Sequence, residues 1–282
     1  MTNRLKDLEA HGQAIWLDFV DRGFLNEGGL RKLIEEDGVT GATSNPSIFE
    51  KAMGHGEAYD EGFHAFLGKA DAGVQDTYES QAIADIKAAA ADLRPVYDRL
   101  EAKDGYVSLE VSPYLALDTT STVEEARRLW KAVAEPNLMV KVPGTQAGAP
   151  AIRQLIEDGL NINVTLLFSL DAYKAVAEAY LAGLEARVAK DEAVDRIASV
   201  ASFFVSRIDG QIDKSIDERV KAGDAEADAL QAVRGKVAIA NAKLAYAWYE
   251  EMIAGDRWKA LAAKGAMPQR LLWASTGVTD TA

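Results

Sequence analysis

The chain contains no cysteine. That absence removes disulfides, thiolate metal sites and cysteine nucleophiles together. Histidine is almost as scarce, and His11, His55 and His64 are not spaced as metal ligands on one helix face. Basic residues are outnumbered: 31 Lys and Arg stand against 44 Asp and Glu, a net charge of −13. Such a surface repels nucleic acid and anionic membranes, and no basic cluster interrupts it. No stretch approaches the roughly 18 apolar residues that a membrane-spanning helix needs. Residues 1–10 are charged and helix-prone and have no apolar leader core. Gly-x-Gly-x-x-Gly and the Gly-x4-Gly-Lys-Ser/Thr phosphate loop are both missing. The expectation is a soluble cytoplasmic protein with no cofactor, no metal, no nucleic-acid partner and no membrane partner.

What is present is apolar content in a regular order. The 282 residues are 48% hydrophobic, enough for one α/β barrel or two smaller domains. Short apolar, β-branched runs at 14–19, 38–43, 106–111, 138–142, 162–168, 197–206 and 270–274 read as strands. Between them lie helical patterns at 29–36, 74–100 (read as more than one helix), 123–134, 149–158, 170–188, 208–222 and 225–254. The long intervals 45–104 and 209–268 carry helical pattern rather than loop.

Strands alternating with helices predict βαβ units and a parallel sheet. Almost wholly apolar strands predict a sheet covered on both faces. The fold expected is α/β, a (β/α)8 TIM-type barrel with only seven strands evident. Residues 1–282 read as a single barrel domain, short at its C-terminal end, since no linker or low-complexity tract divides them.

One residue interrupts this pattern. Lys141 lies inside the apolar run Asn137-Leu-Met-Val-Lys-Val-Pro-Gly144, where a buried, unpaired ammonium is expensive. Either the amine snorkels to water at the strand end, or it sheds its charge and serves as a nucleophile of the Schiff-base type.

In a parallel barrel, catalytic groups gather at the C-terminal strand ends. Those ends supply Asp18, then Thr43 and Asn45, then Glu110, Lys141, the series Asn161, Asn163 and Thr165, then Ser202 and Arg207, and last Ser275. Each has a plainer reading. Asn45 before Pro46 is a ready helix N-cap. Asp18 could pair with a neighbouring cation, Glu110 needs some partner if buried, and Arg207 could be a surface charge. Together they form a specific constellation. An amine makes an imine with a ketone, and carboxylates move protons during carbon–carbon cleavage. Amides and hydroxyls hold sugar hydroxyls, and an arginine holds phosphate. The coarse inference is a Schiff-base aldol enzyme acting on a phosphorylated sugar.

The same stretches resemble transaldolase. They are Trp16-Leu-Asp-Phe19, Gly41-Ala-Thr-Ser-Asn-Pro-Ser-Ile-Phe49, Val107-Ser-Leu-Glu-Val111 and Asn137-Leu-Met-Val-Lys-Val-Pro-Gly-Thr145. Ile162-Asn-Val-Thr-Leu-Leu-Phe-Ser169, Ala201-Ser-Phe-Phe-Val-Ser-Arg-Ile-Asp209 and Leu271-Leu-Trp-Ala-Ser-Thr-Gly277 complete the set. The chain looks most like the longer transaldolase subfamily, found in some organisms fused to glucose-6-phosphate isomerase.

The resemblance implies that Lys141 forms an imine with the dihydroxyacetone unit of sedoheptulose 7-phosphate or fructose 6-phosphate. It implies Asp18 as the proton carrier, and Glu110 with Thr165 as holders of the catalytic water. It gives Thr43, Asn45, Asn163 and Ser202 the hydroxyls of the bound carbanion, which glyceraldehyde 3-phosphate or erythrose 4-phosphate then accepts. Arg207 takes the phosphate, with Ser275 beside it.

Two departures stand out. Thr279 falls where the family's pattern usually has a lysine, followed by Asp280. The family's eighth strand is not evident either, and dimerisation is one way to cover the edge that this would leave. Two other readings stay open: a sugar-phosphate aldolase that releases its product without transfer, and a catalytically impaired fragment or assembly partner.

Overall fold

The computed structural model describes residues 3–55, 57–67 and 73–277. The chain forms two compact units, residues 1–113 with 124–141 and residues 114–123 with 142–282. Thr279 and Asp280 lie outside the described residues.

The first unit holds β1 (Ile15–Leu17), β2 (Val39–Thr43), β3 (Tyr106–Glu110) and the first four residues of β4 (Leu138–Pro143). All pair in parallel and in chain order, with Gly41 opposite Tyr106 and Glu110 opposite Lys141. Its helices are α1 (Arg4–Glu9), α2 (Arg22–Asn26), α3 (Gly29–Asp37), α4 (Pro46–His55), α5 (Asp60–Leu67) and α6 (Val74–Arg99). α6 lays Ala82, Ile86, Ala89, Leu93 and Val96 inward at three- and four-residue spacing, all 3% exposed or less.

The helix meets β3 where Gly105 sits at φ +92, and a Cβ there would lie 2.3 Å from the Tyr97 backbone nitrogen. At Gly41 a Cβ would strike the Trp16 ring at 2.3 Å. The bare backbone lets Trp16 lie against β2 and donate its indole N–H to Asp104 at 2.9 Å.

α7 (Thr119–Val133) is divided between the units after Val123. The second unit has β5 (Ile162–Leu167), β6 (Ser199–Phe204) and β7 (Arg270–Ala274), again parallel and in chain order. Around them run α8 (Gly148–Glu157), α9 (Leu170–Ala189), α10 (Ser206–Lys221), α11 (Ala227–Val233), α12 (Val237–Ala254) and α13 (Asp256–Ala262). Leu138, Val140, Val142, Ile162, Val164 and Val200 are all within 1% of full burial. Each such side chain contributes roughly 1.5–3 kcal/mol.

All seven expected strands are present among the described residues, within two residues of their expected bounds. Two helical expectations are corrected. Residues 74–99 form one helix that runs through Pro95 rather than several. The 225–254 pattern breaks into two, because Arg234 is extended at ψ 134. α10 supplies the competing acceptors: Asp213 takes the Gly235 amide at 2.9 Å, and Asp209 takes the Ala238 amide at 2.8 Å.

Candidate active site

Lys141 does not snorkel. Both faces of β4 are buried and the residue is 7% exposed. Its Nζ lies 3.2 Å from Glu110 Oε2 and donates to the Ser44 carbonyl at 3.2 Å. The register explains the pair: Glu110 and Lys141 sit opposite each other on neighbouring parallel strands. Removing one member of such a buried pair costs roughly 3–5 kcal/mol, because the other charge is left unpaired.

The end of β2 organises the rest of this cluster. Thr43 donates its hydroxyl to Asp18 Oδ1 at 2.5 Å. Ser44 offers its carbonyl to Lys141 and sends its own hydroxyl to the Ser108 carbonyl at 2.8 Å. Asn45 accepts the Ile48 amide at 3.1 Å, so it is the N-cap of α4 that Pro46 implied. Asp18 is exposed, one residue past β1, and among the described residues it pairs with no cation. Its hydrogen-bond partner is a hydroxyl.

The segment after Asp18 is tied down by charge. Asp21 caps α2 through the Phe24 amide at 3.0 Å. Arg22 pairs with Asp85 at 2.7 Å, while the Tyr59 hydroxyl donates to Asp85 at 2.8 Å and accepts the Arg22 amide at 3.1 Å. Burial pushes the Asp85 carboxyl up, against the bonds from Arg22 and Tyr59 that pull it down. Tyr78, its ring edge-on to Phe49 at 6.3 Å, has its phenol raised first by burial and then by the Glu110 charge.

The second unit carries its own polar set. Asn163 and Thr165 are 0% and 2% exposed in β5, and Ser202 on β6 donates to Asn163 Oδ1 at 2.7 Å. Asn161 serves structure instead, accepting the Ala198 amide at 2.9 Å. The Thr165 carbonyl takes the Gly144 amide at 2.8 Å. The next residue, Leu166, is left-handed at φ 62, where the β5–β6 register shifts.

Ser275 is also left-handed, at φ 55, and its side-chain oxygen is 2.9 Å from that of Ser206. Arg207 is exposed. Its guanidinium carbon lies 4.7 Å above the Phe204 ring, which stacks on Phe168 at 4.9 Å. Such a cation–π contact is worth about 0.5–1 kcal/mol at an exposed site. Among the described residues no carboxylate neutralises Arg207.

Asp18, Thr43, Asn45, Glu110 and Lys141 thus belong to one cluster in the first unit. Asn163, Thr165, Ser202, Arg207 and Ser275 lie in the second. The sequence does not reveal the Ser44 carbonyl, the Tyr59–Asp85 anchor, or the Phe204 ring under Arg207 with Phe168 stacked on it. A main-chain acceptor leaves no mark on residue type, and Phe168 and Phe204 read simply as strand core.

Fold and site define a class: parallel α/β enzymes with a buried lysine amine and a carboxylate at neighbouring strand ends. Comparison with known proteins narrows it. Residues 15–282 match the family Transaldolase/Fructose-6-phosphate aldolase. A Transaldolase of Trichodesmium erythraeum is 50% identical over 284 residues, covering 100% of this chain and 74% of its own. Transaldolase 2 of Nostoc sp. is 48% identical over 99% of this chain and 74% of its own. A Transaldolase of Saccharopolyspora erythraea is 50% identical over 99% and 73%. The chain belongs to the transaldolase/fructose-6-phosphate aldolase family, and with it to the (β/α)8 barrel fold class.

Proposed function

We propose that this enzyme transfers a dihydroxyacetone unit between phosphorylated sugars through an imine on Lys141, with residues 1–282 acting as one catalytic domain. The observation that carries the reading is the buried Lys141 amine with a carboxylate 3.2 Å away. An ammonium cannot attack a carbonyl, so the amine must first give up a proton, and Glu110 is within reach to take it. Nζ then adds to the C2 ketone of fructose 6-phosphate or sedoheptulose 7-phosphate. Loss of water gives the iminium, with Glu110 and Thr165 assigned to that water.

The iminium is an electron sink. Asp18 takes the proton from the C4 hydroxyl, the C3–C4 bond breaks, and an aldose phosphate leaves. The three-carbon unit remains as an enamine on Lys141. Thr43, Asn45, Asn163 and Ser202 are assigned to its hydroxyls. Asn45 has its oxygen committed to the α4 cap, so its amide N–H2 is the group offered to the ligand. Glyceraldehyde 3-phosphate or erythrose 4-phosphate accepts the unit, Asp18 returns the proton, and hydrolysis frees the lysine. Arg207, with Ser275 beside it, is assigned to the phosphate. A cation that no carboxylate among the described residues neutralises, in a chain of net charge −13, supports that role.

The second reading, an aldolase, differs in the fate of the enamine. The test is fructose 6-phosphate with and without erythrose 4-phosphate. Transfer predicts sedoheptulose 7-phosphate only when the acceptor is present, with less than one dihydroxyacetone per enzyme released in its absence. Steady multiple-turnover release of dihydroxyacetone without acceptor would replace the transferase reading with the aldolase one.

A further inference from the structure

Arg207 is an exposed, long side chain with no carboxylate among the described residues to fix its direction, yet it lies over an aromatic ring. That ring is itself held. Phe168 stacks on Phe204 with centroids 4.9 Å apart and planes 26° from parallel. The Phe168 carbonyl accepts the Asn241 side-chain amide of α12 at 3.0 Å. Phe168 is 40% exposed, in contrast to Phe204 at 8%. It therefore forgoes part of the burial that a core phenylalanine gains. A chain of contacts runs from α12 through two rings to the guanidinium, and each link removes freedom from the next. A guanidinium fixed before the ligand arrives loses less entropy on binding an anion.

We propose that Phe168 is a positioning residue for phosphate recognition, acting through Phe204 to hold Arg207 ready. The inference rests on the assignment of Arg207 to the substrate phosphate. It makes Phe168 a determinant of preference for phosphorylated over unphosphorylated aldehyde acceptors, although Phe168 is not assigned to substrate itself.

The test is the ratio of kcat/KM for erythrose 4-phosphate to that for erythrose, at saturating fructose 6-phosphate, in the full chain. Phe168→Leu keeps apolar bulk and removes the ring. It is expected to lower the ratio about 2- to 5-fold, with the full Arg207–Phe204 cation–π contact that Phe168 holds in place as the ceiling, and with the erythrose value unchanged. Phe168→Tyr restores the ring and is expected to restore the ratio. Arg207→Ala, run in parallel, is expected to lower it about 10-fold or more. Asn241→Ala frees the Phe168 carbonyl without touching a ring and reads out the same direction should Phe168→Leu fail to fold.

An unchanged ratio in Phe168→Leu beside a collapsed one in Arg207→Ala overturns this inference and leaves the Arg207 assignment standing. Equal losses for both acceptors in Phe168→Leu mean a merely structural ring and also overturn it. An unchanged ratio in Arg207→Ala overturns the Arg207 assignment, and the inference with it.

Discussion

A charged amine in an apolar strand is a contradiction that Lys141 resolves by pairing rather than by reaching water. Its partners come from the two preceding strands, Glu110 from the end of β3 and the Ser44 carbonyl from just past β2. The sequence allowed either outcome, because whether an amine inside a strand finds a partner depends on register and not on residue type. Asp18 contrasts with it: exposed, past its strand, and steered by one short bond from Thr43. In the proposed mechanism Asp18 takes and returns a proton, a role that such a setting favours, since the carboxylate is oriented without a cation to neutralise it. Asp18→Asn keeps an oxygen for Thr43 and so preserves the local fold. It is expected to cut kcat by about 10²–10⁴, the usual cost of a lost acid–base group. Steady-state transfer assays check this, and an unchanged kcat would move the proton to another group.

At the scale of the element, β2 and β5 do most of the placing. Thr43, Ser44 and Asn45 in succession steer Asp18, receive the Lys141 amine and cap α4. In β5 the period of two fails at Leu166, which turns left-handed between buried Thr165 and buried Leu167. A non-glycine residue in that region costs on the order of 1–3 kcal/mol, and such strain persists where surrounding structure imposes it. Leu166 is 42% exposed and has less burial to lose than Leu167, which is fully buried. Leu166→Gly is therefore expected to change stability by less than about 1 kcal/mol, relief of strain offsetting the freedom gained by the unfolded chain. Leu167→Ala is expected to cost roughly 2–5 kcal/mol. Urea melts of both variants check the contrast; equal losses would mean that the left-handed turn carries no strain.

The bulge was not legible in the sequence, since the run Val164-Thr-Leu-Leu-Phe168 looks like uninterrupted strand. The break between α11 and α12 was hidden for the same kind of reason, because the acceptors that cause it, Asp209 and Asp213, lie on another helix. The five inner strands were legible because burial on both faces demands mostly apolar runs, and half-buried β1 and β7 carry short apolar runs of the same kind.

For the whole molecule, composition narrowed the class before any residue was singled out. Without cysteine, thiol chemistry is excluded, and with a net charge of −13 nucleic acid is an unfavoured partner. No helix among the described residues is long and apolar enough to cross a membrane. Family membership over residues 15–282 agrees with those limits, and the proposed chemistry turns on one covalent bond. The direct measurement is borohydride reduction in the presence of fructose 6-phosphate, followed by intact mass and peptide mapping. The account predicts one substrate-dependent adduct per chain, on the peptide bearing Lys141, and none in Lys141→Met. An adduct on a different lysine, or none from a folded chain that turns over substrate, would contradict it.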